Sequence, residues 1–298
     1  MSKRGFFRNS IEQGAALAVV ASLRYLPLRP AEKLAAWYAK GLDRVVPRLR
    51  RIARINLQMA LPERASAHEQ IIDGVFASVG RLLLAFARLP AIHRGNVRDW
   101  IDYEGFEHYA AAKAKGHGVL FATGHLGNWE ISAYAHALLT EPMHVVVRPL
   151  DNPYLDRLVA ARRALSGNRV IEKKDFARGI LGALQANEPV GILVDQNSML
   201  DQGIFVDFFG VPACTAPVFA KLAHRAQTSV IPGFAVWSEE QHRYVLKFYP
   251  AVELSGDAAL DTQRVQAAVE GAIRENPDQW LWIHRRWKTR PAGAPEIY

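Results

Sequence analysis

The sequence predicts an α/β fold, an open and mostly parallel sheet covered by helices, with a helical, membrane-proximal region at its amino-terminal end. Three observations lead there. From about residue 105 onward, short apolar segments of strand length alternate with segments of helix length. Before that point apolar residues recur at helical spacing and the charge is strongly positive. Half of the 298 residues are apolar and 22% are charged, which supports a packed core and excludes disorder as the overall description. The expected organisation is a helical, basic region over residues 1–104 and an α/β core with C-terminal helices over residues 105–298.

Of the formal net charge of +8, residues 1–54 contribute +9, from twelve Lys or Arg against three Asp or Glu. A basic end on an otherwise balanced chain points to a polyanionic surface, and the apolar segments beside it favour an anionic membrane over nucleic acid. Gly14–Leu23, GAALAVVASL, is almost wholly apolar and follows the cations Lys3, Arg4 and Arg8. It is shorter than the roughly 18 to 20 residues that cross a bilayer. Glu12 and the continuing helical pattern argue against a cleaved signal. An interfacial helix on the cytoplasmic leaflet, an ordinary buried helix and a true span or signal remain open. The first has a direct physical basis, apolar area entering the headgroup region while cations meet anionic lipid.

Ala31–Val46 is helical in pattern until Pro47 interrupts it. Arg48, Arg50, Arg51 and Arg54 then alternate with Leu49, Ile52 and Ile55, reading either as a solvated helical face or as a lipid contact. Glu69–Leu89 is again helical, and the Asn96–Tyr103 region marks the transition. Beyond it, strands are expected at Gly118–Ala122, His144–Val147, Val190–Val194, Ser229–Trp237 and Tyr244–Tyr249. Helices are expected at Asn128–Leu139, Pro153–Leu165, Asp175–Ala186, Ala216–Ala226, Asp261–Arg274 and around Trp280.

The strongest local signal is GVLFATGHLGNWE, Gly118–Glu130. An apolar strand ends at Thr123, Gly124 permits a tight turn, and His125 stands where a loop leaves the carboxyl edge of the sheet, the usual ligand crevice of open α/β proteins. His125 and Glu130 are five residues apart. On one continuous helix that spacing would separate them by about 140°. It becomes useful if His125 stays in the loop while Glu130 lies in the first helical turns, with Asn128 as N-cap. Glu130 is then expected to hold one imidazole nitrogen and leave the other for an acceptor hydroxyl, whose proton a neutral imidazole can take during attack on an acyl carbonyl. A structural histidine is the plain alternative. The helix amino end at Asn128 offers N–H groups to an oxyanion or a lipid phosphate.

Arg148 follows the strand MHVVV and is a candidate phosphate ligand or a structural ion-pair partner. Asp195 and Gln196 end the strand VGILVDQ, where they either shape the crevice and touch substrate or serve a turn. Phe205, Phe208 and Phe209 read as acyl-channel lining or as core. His284, Arg285, Arg286, Lys288 and Arg290, beside Trp282 and Trp287, read as a contact for anionic lipid or an acidic carrier protein, or as salt-bridging residues. Cys214 is the single cysteine, there is no HExxH, and the glycines form neither GxGxxG nor a Walker loop, so no metal and no cofactor are expected.

GHLGNWE, RIARINLQMALPE (Arg51–Glu63), VVRPLDNPYLDRL (Val146–Leu158), VDFFGVPACT (Val206–Thr215) and LWIHRRWKTRPAGAP (Leu281–Pro295) together resemble the bacterial lipid A late acyltransferases, the lauroyl and myristoyl transferase family within the lysophospholipid acyltransferase group. The resemblance covers nearly the whole chain. It implies His125 as catalytic base and Glu130 as its acidic partner. It further implies an acyl carrier protein thioester as donor, a hydroxyl on a hydroxyacyl chain of a phosphorylated glucosamine disaccharide as acceptor, and the cytoplasmic face of the inner membrane as location. Some members carry a more obvious membrane helix. Others carry Asp-His-Asp where this chain reads Asp195, Gln196, Asn197, so that group receives no catalytic role. No nucleic-acid partner is expected. A thioesterase or lipid hydrolase, in which His125 activates water, and a noncatalytic lipid tether are the competing functional readings.

Overall fold

The computed structural model describes residues 5–172 and 176–298. Lys3 and Arg4 of the basic cluster, and Asp175 at the expected start of a helix, lie outside them. Four helices open the chain: α1 (Phe6–Tyr25), α2 (Leu28–Val45), α3 (Pro47–Ala60) and α4 (His68–Arg88). Gly14–Leu23 is the body of α1. Pro47 occupies the first position of α3, where its missing N–H breaks no helical bond, so it opens a helix as well as ending one. Ala31, Ala35 and Ala39 recur every four residues on the buried face of α2, and these small side chains let it lie closely along α4.

Two of the four α3 arginines are committed internally. Arg50 pairs with Asp43, Glu69 and Asp73, and Arg54 pairs with Glu69, tying α2, α3 and α4 together. Arg48 and Arg51 are exposed. α4 is the hub. Its first half packs Ile71, Ile72, Val75 and Phe76 with Trp280, Trp282 and Trp287 from the far end of the chain. Its second half and the following turn pack Ala85, Phe86 and Leu89 against the sheet. With its flanking turns, Pro62–Ala91, it is the one helix among the described residues long and apolar enough to cross a membrane, and half of that window is buried within the protein.

The remaining elements are β1 (Ile101–Glu104), α5 (Phe106–Lys113), β2 (Val119–Thr123), α6 (Trp129–Leu139), β3 (His144–Val147), α7 (Pro153–Ala164), β4 (Arg169–Glu172), α8 (Phe176–Gln185), β5 (Pro189–Leu193), β6 (Ile204–Phe208), β7 (Val211–Thr215), α9 (Val218–Ala226), β8 (Ser229–Ser238), β9 (Arg243–Phe248) and α10 (Ala258–Glu275). Seven strands form one sheet in the order β1-β9-β8-β2-β5-β3-β4, parallel throughout except for β8 against β9. This is the mostly parallel, helix-covered α/β sheet expected. Along β2, Val119 and Phe121 face α5 and α6, while Leu120 and Ala122 face α8 and α9. That alternation is the period of a strand, and the continuous apolar run reflects burial on both faces.

Three features differ from expectation. β1 and β4, four residues each at the two edges, and the hairpin β6–β7 carry patterns too short or too mixed to read as strands. The expected boundary at residue 105 falls just after β1, which pairs with β9 in the main sheet. The Trp280 region is not helical; a single turn at Pro277–Gln279 leads into irregular chain that carries fully buried Trp282, Arg286 and Trp287.

Candidate active site

The sheet order creates the crevice. After β2 the chain crosses outward to β3 and β4, then returns to insert β5 between β2 and β3. β2 and β5 are parallel, with Thr123 opposite Leu193. Two residues beyond each strand end stand His125 and Asp195, and equal displacement along parallel neighbours brings them side by side. His125 Nδ1 lies 2.9 Å from Asp195 Oδ1, and the His125 backbone N–H donates to Oδ2 at 2.6 Å. Trp280 Nε1 donates to the same Oδ2 at 2.8 Å. Gly124 makes room for this carboxylate, since a Cβ there would stand 2.9 Å from Oδ2.

This corrects the assignment of Glu130 as holder of the imidazole. Glu130 does lie in the first turn of α6, and Asn128 does cap it, accepting from the Ile131 N–H. Both Glu130 oxygens, however, are taken by Arg163 of α7, Oε2 by Nε at 2.9 Å and Oε1 by Nη2 at 2.5 Å. Glu130 reaches His125 only through its charge. Asp195, read from sequence as crevice or turn, is the group that orients the ring, and Gln196 follows it, with Nε2 3.3 Å from His125 Nε2. A Gln196 amide donating there makes Nε2 the acceptor and puts the proton on Nδ1, the tautomer that a base needs, and an incoming hydroxyl would take the amide's place on that lone pair.

Burial disfavours an imidazolium at position 125, but the charge and hydrogen bond of Asp195 outweigh it and the pKa is raised above the ordinary histidine value. Burial likewise opposes ionisation of Asp195, and His125 and Trp280 reverse that, holding the carboxyl at about 2. Nearby His284 is driven the other way, down to about 4, chiefly by burial, and its Nε2 accepts from the Asn197 N–H at 3.3 Å. It stays neutral while His125 does the titrating.

Gly127 closes the loop. It has φ +64°, and a Cβ there would lie 2.0 Å from the Ala235 carbonyl oxygen. Its N–H donates to the Gln279 carbonyl, and the Asn128 N–H donates to Ala235. Gly127→Ala is therefore expected to cost about 2 kcal/mol or more in stability, read as a melting midpoint lower by roughly 5 °C. An unchanged midpoint would mean that the loop adjusts freely.

The other expected site residues are dispersed. Asn128 is fully buried and acts as a cap, with no surface for substrate. Arg148 is exposed just past β3 and makes no ion pair with a described residue. Phe208 and Phe209 are core, packed on Trp280, Trp282 and Trp287. Arg286 is fully buried and donates to the Cys214 carbonyl, Thr215 Oγ1 and Gln266 Oε1, so it ties the β6–β7 hairpin to α10. Asn56 Nδ2 donates to the Trp282 and His284 carbonyls, joining α3 to the segment that delivers Trp280.

A cavity runs beneath the sheet along α6. Trp129, Glu130, Arg163 and Thr123 line it near the strand ends, and Phe121, Gly191, Gly233 and Leu246 lie further in. Trp129 also borders a smaller cavity that includes His125, and the two rings meet edge to face at 4.7 Å. His136 on the large cavity's wall is held near pKa 4 by burial, so it is neutral at pH 7. Glu130 and Arg163 neutralise each other. The cavity therefore presents an essentially uncharged, mostly apolar lining, the character of a lipid-chain site. The described residues contain no cluster of histidine, cysteine or carboxylate side chains that could hold a metal ion.

Comparison with known proteins agrees with this architecture. The model of the family described as bacterial lipid A biosynthesis acyltransferase matches residues 10–289. The chain is 27% identical over 274 residues to a lipid A biosynthesis acyltransferase of Haemophilus influenzae, covering 91% of this chain and 86% of that one. It is 30% identical over 258 residues to the lipid A biosynthesis palmitoleoyltransferase of Escherichia coli, covering 83% and 81%. To the lauroyltransferase of the same organism it is 28% identical over 278 residues, covering 92% and 90%. A histidine steadied by a buried carboxylate beside an apolar cavity, on a chain matched over nearly its full length, makes this protein an acyltransferase belonging to the bacterial lipid A biosynthesis acyltransferase family.

Proposed function

We propose that the protein transfers a fatty acyl group from an acyl carrier protein thioester to a hydroxyl on an acyl chain of a phosphorylated glucosamine lipid, a lipid A precursor or related glycolipid. His125 Nε2 removes the acceptor proton as the oxygen attacks the thioester carbonyl. Collapse of the tetrahedral intermediate breaks the C–S bond, and the imidazolium returns its proton to the departing thiolate. Asp195 fixes the tautomer and stabilises the imidazolium. Glu130, anchored by Arg163, shapes the cavity mouth and adds negative charge toward His125. Asn128 contributes by fixing the amino end of α6, whose dipole favours a developing oxyanion. Arg148 and Gln196 are proposed acceptor contacts at the rim.

The observation that carries this reading is the bond from His125 Nδ1 to Asp195, which puts the basic lone pair on Nε2, where the acceptor hydroxyl displaces the Gln196 amide. The test incubates the protein with acyl carrier thioester, with and without lipid acceptor, and follows products by mass spectrometry. Acylated lipid supports the proposal; acceptor-independent fatty acid would replace it with hydrolysis.

The same reading makes the cavity the acyl site. A Cβ at Gly233 would meet Phe121 and Phe248 only at ordinary contact, 3.7 Å, so a side chain fits there without moving backbone. Gly233→Val is expected to shift the kcat/KM ratio at least tenfold from long toward short acyl donors, since each methylene excluded from a fitted pocket is worth about that much. An unaltered chain-length profile would place the acyl chain elsewhere.

Membrane attachment is proposed on the cytoplasmic face of the inner membrane through α1 and α2. Phe7, Ile11 and Trp37 are exposed there at 77, 58 and 66%, among the basic residues that would meet anionic lipid.

A further inference from the structure

Arg162 is a buried cation without an anion. It lies in the last turn of α7, is 9% exposed, and places its guanidinium carbon 5.3 Å from the centroid of the Phe86 ring of α4. No described residue accepts a side-chain hydrogen bond from it. Its Nε is sealed off without a partner, whereas its two terminal nitrogens keep access to the surface. The carboxylate of Glu130 has both oxygens on the adjacent Arg163.

The surroundings add positive charge. α1 packs against both α4 and α7. Arg88 donates to the Leu23 and Leu26 carbonyls and so fixes the carboxyl end of α1 in this crevice. Arg24, in the same last turn of α1, has no ion pair with a described residue and lies over the Tyr25 ring. Burial is the main influence against the Arg162 charge, and the Arg24 charge adds to it. A guanidinium is too basic to escape by losing its proton. A guanidinium nine-tenths buried with no anion beside it is costly unless something negative completes it.

We propose that Arg24 and Arg162, in the crevice between the carboxyl end of α1, α4 and α7, bind the phosphate ester of a lipid headgroup. The guanidinium fork matches phosphate oxygens, and the terminal nitrogens of Arg162, unlike its Nε, are not sealed from the surface. A lipid source fits better than free phosphate because exposed apolar side chains flank the crevice at the α1–α2 corner, Tyr25 at 76% and Leu28 at 45%. The crevice also adjoins the large cavity. Arg163 is the next residue along α7, and Leu89 is one turn beyond Phe86, and both line that cavity. A lipid held here by its phosphate stands at the edge of the acyl site. Its identity as the acceptor rests on the proposed function; its binding does not.

The experiment measures equilibrium binding without acyl donor, so failure of the catalytic reading leaves it intact. Wild type, Arg162→Met and Arg24→Gln are titrated with phosphatidylcholine vesicles containing either dioleoyl phosphatidate or oleate at matched surface charge. Wild type is expected to prefer phosphatidate by about tenfold, the scale of a charge-assisted bidentate contact, and both variants to lose that preference while still binding oleate vesicles. Arg24→Gln alters a partly exposed side chain and answers the question if Arg162→Met does not fold. A phosphatidate preference that survives in the folded variants overturns the site. Complete displacement of phosphatidate vesicles by millimolar inorganic phosphate overturns the lipid as its ligand.

Discussion

His125→Ala is expected to lower kcat for acyl transfer by about 10² to 10⁴, the range that a general base supplies, while the far-ultraviolet circular dichroism spectrum stays that of the wild type. The ring is 13% exposed and contacts Trp129 along its edge, so its removal opens space without stranding a buried charge elsewhere than at Asp195. Asp195 keeps two donors in that variant, its bonds from the His125 backbone N–H and from Trp280. Near-normal turnover in folded His125→Ala would remove the base from the mechanism. In the wild type, kcat/KM should rise with pH through an ionisation above the ordinary histidine value of 6.5, because the proposed base acts as the neutral ring and Asp195 favours the charged one.

Asp195→Asn is the second large effect, about 10³ to 10⁴ in kcat, on the precedent of carboxylates that set a catalytic tautomer. An asparagine amide facing Nδ1 favours the lone pair there and puts the proton on Nε2, where the base must be unprotonated. The pH profile distinguishes this from general damage. With Asp195 neutralised, burial is left to act on His125 and pushes its pKa down, so the acid limb should move to lower pH even as the plateau falls. A lowered plateau with an unmoved limb would mean that Asp195 acts only as packing. Stability follows with a definite sign. A carboxyl lowered from 3.8 to about 2 by folding stabilises the native state above pH 4, and that contribution disappears as the pH falls toward 2.

Much of the fold was readable because five buried strands and their intervening helices have unambiguous lengths and periods. The position of His125 was readable for the same reason: an apolar run, two glycines and a capping asparagine mark a strand end, a turn and a helix start in thirteen residues. Its partner was not. Asp195 is 70 residues away, and only the insertion of β5 beside β2 makes them neighbours, an order that periodicity does not encode. Local spacing favoured Glu130, yet Arg163 of α7 takes that carboxylate. The tryptophan-rich terminus misled differently. Its basic residues look like a surface patch, but the two terminal nitrogens of Arg286 donate to carbonyl, hydroxyl and amide oxygens of two other segments, and those partners are invisible until the chain is folded.

The insertion of β5 also sets when the protein acquires its chemistry. Joining His125 to Asp195 closes a long loop, and its entropic penalty falls due before the contact is made. Formation of the individual helices α1 to α4 requires no such closure. On the folding path, helix content should therefore accumulate in species that have no oriented imidazole, and catalytic competence becomes a late property of the whole topology.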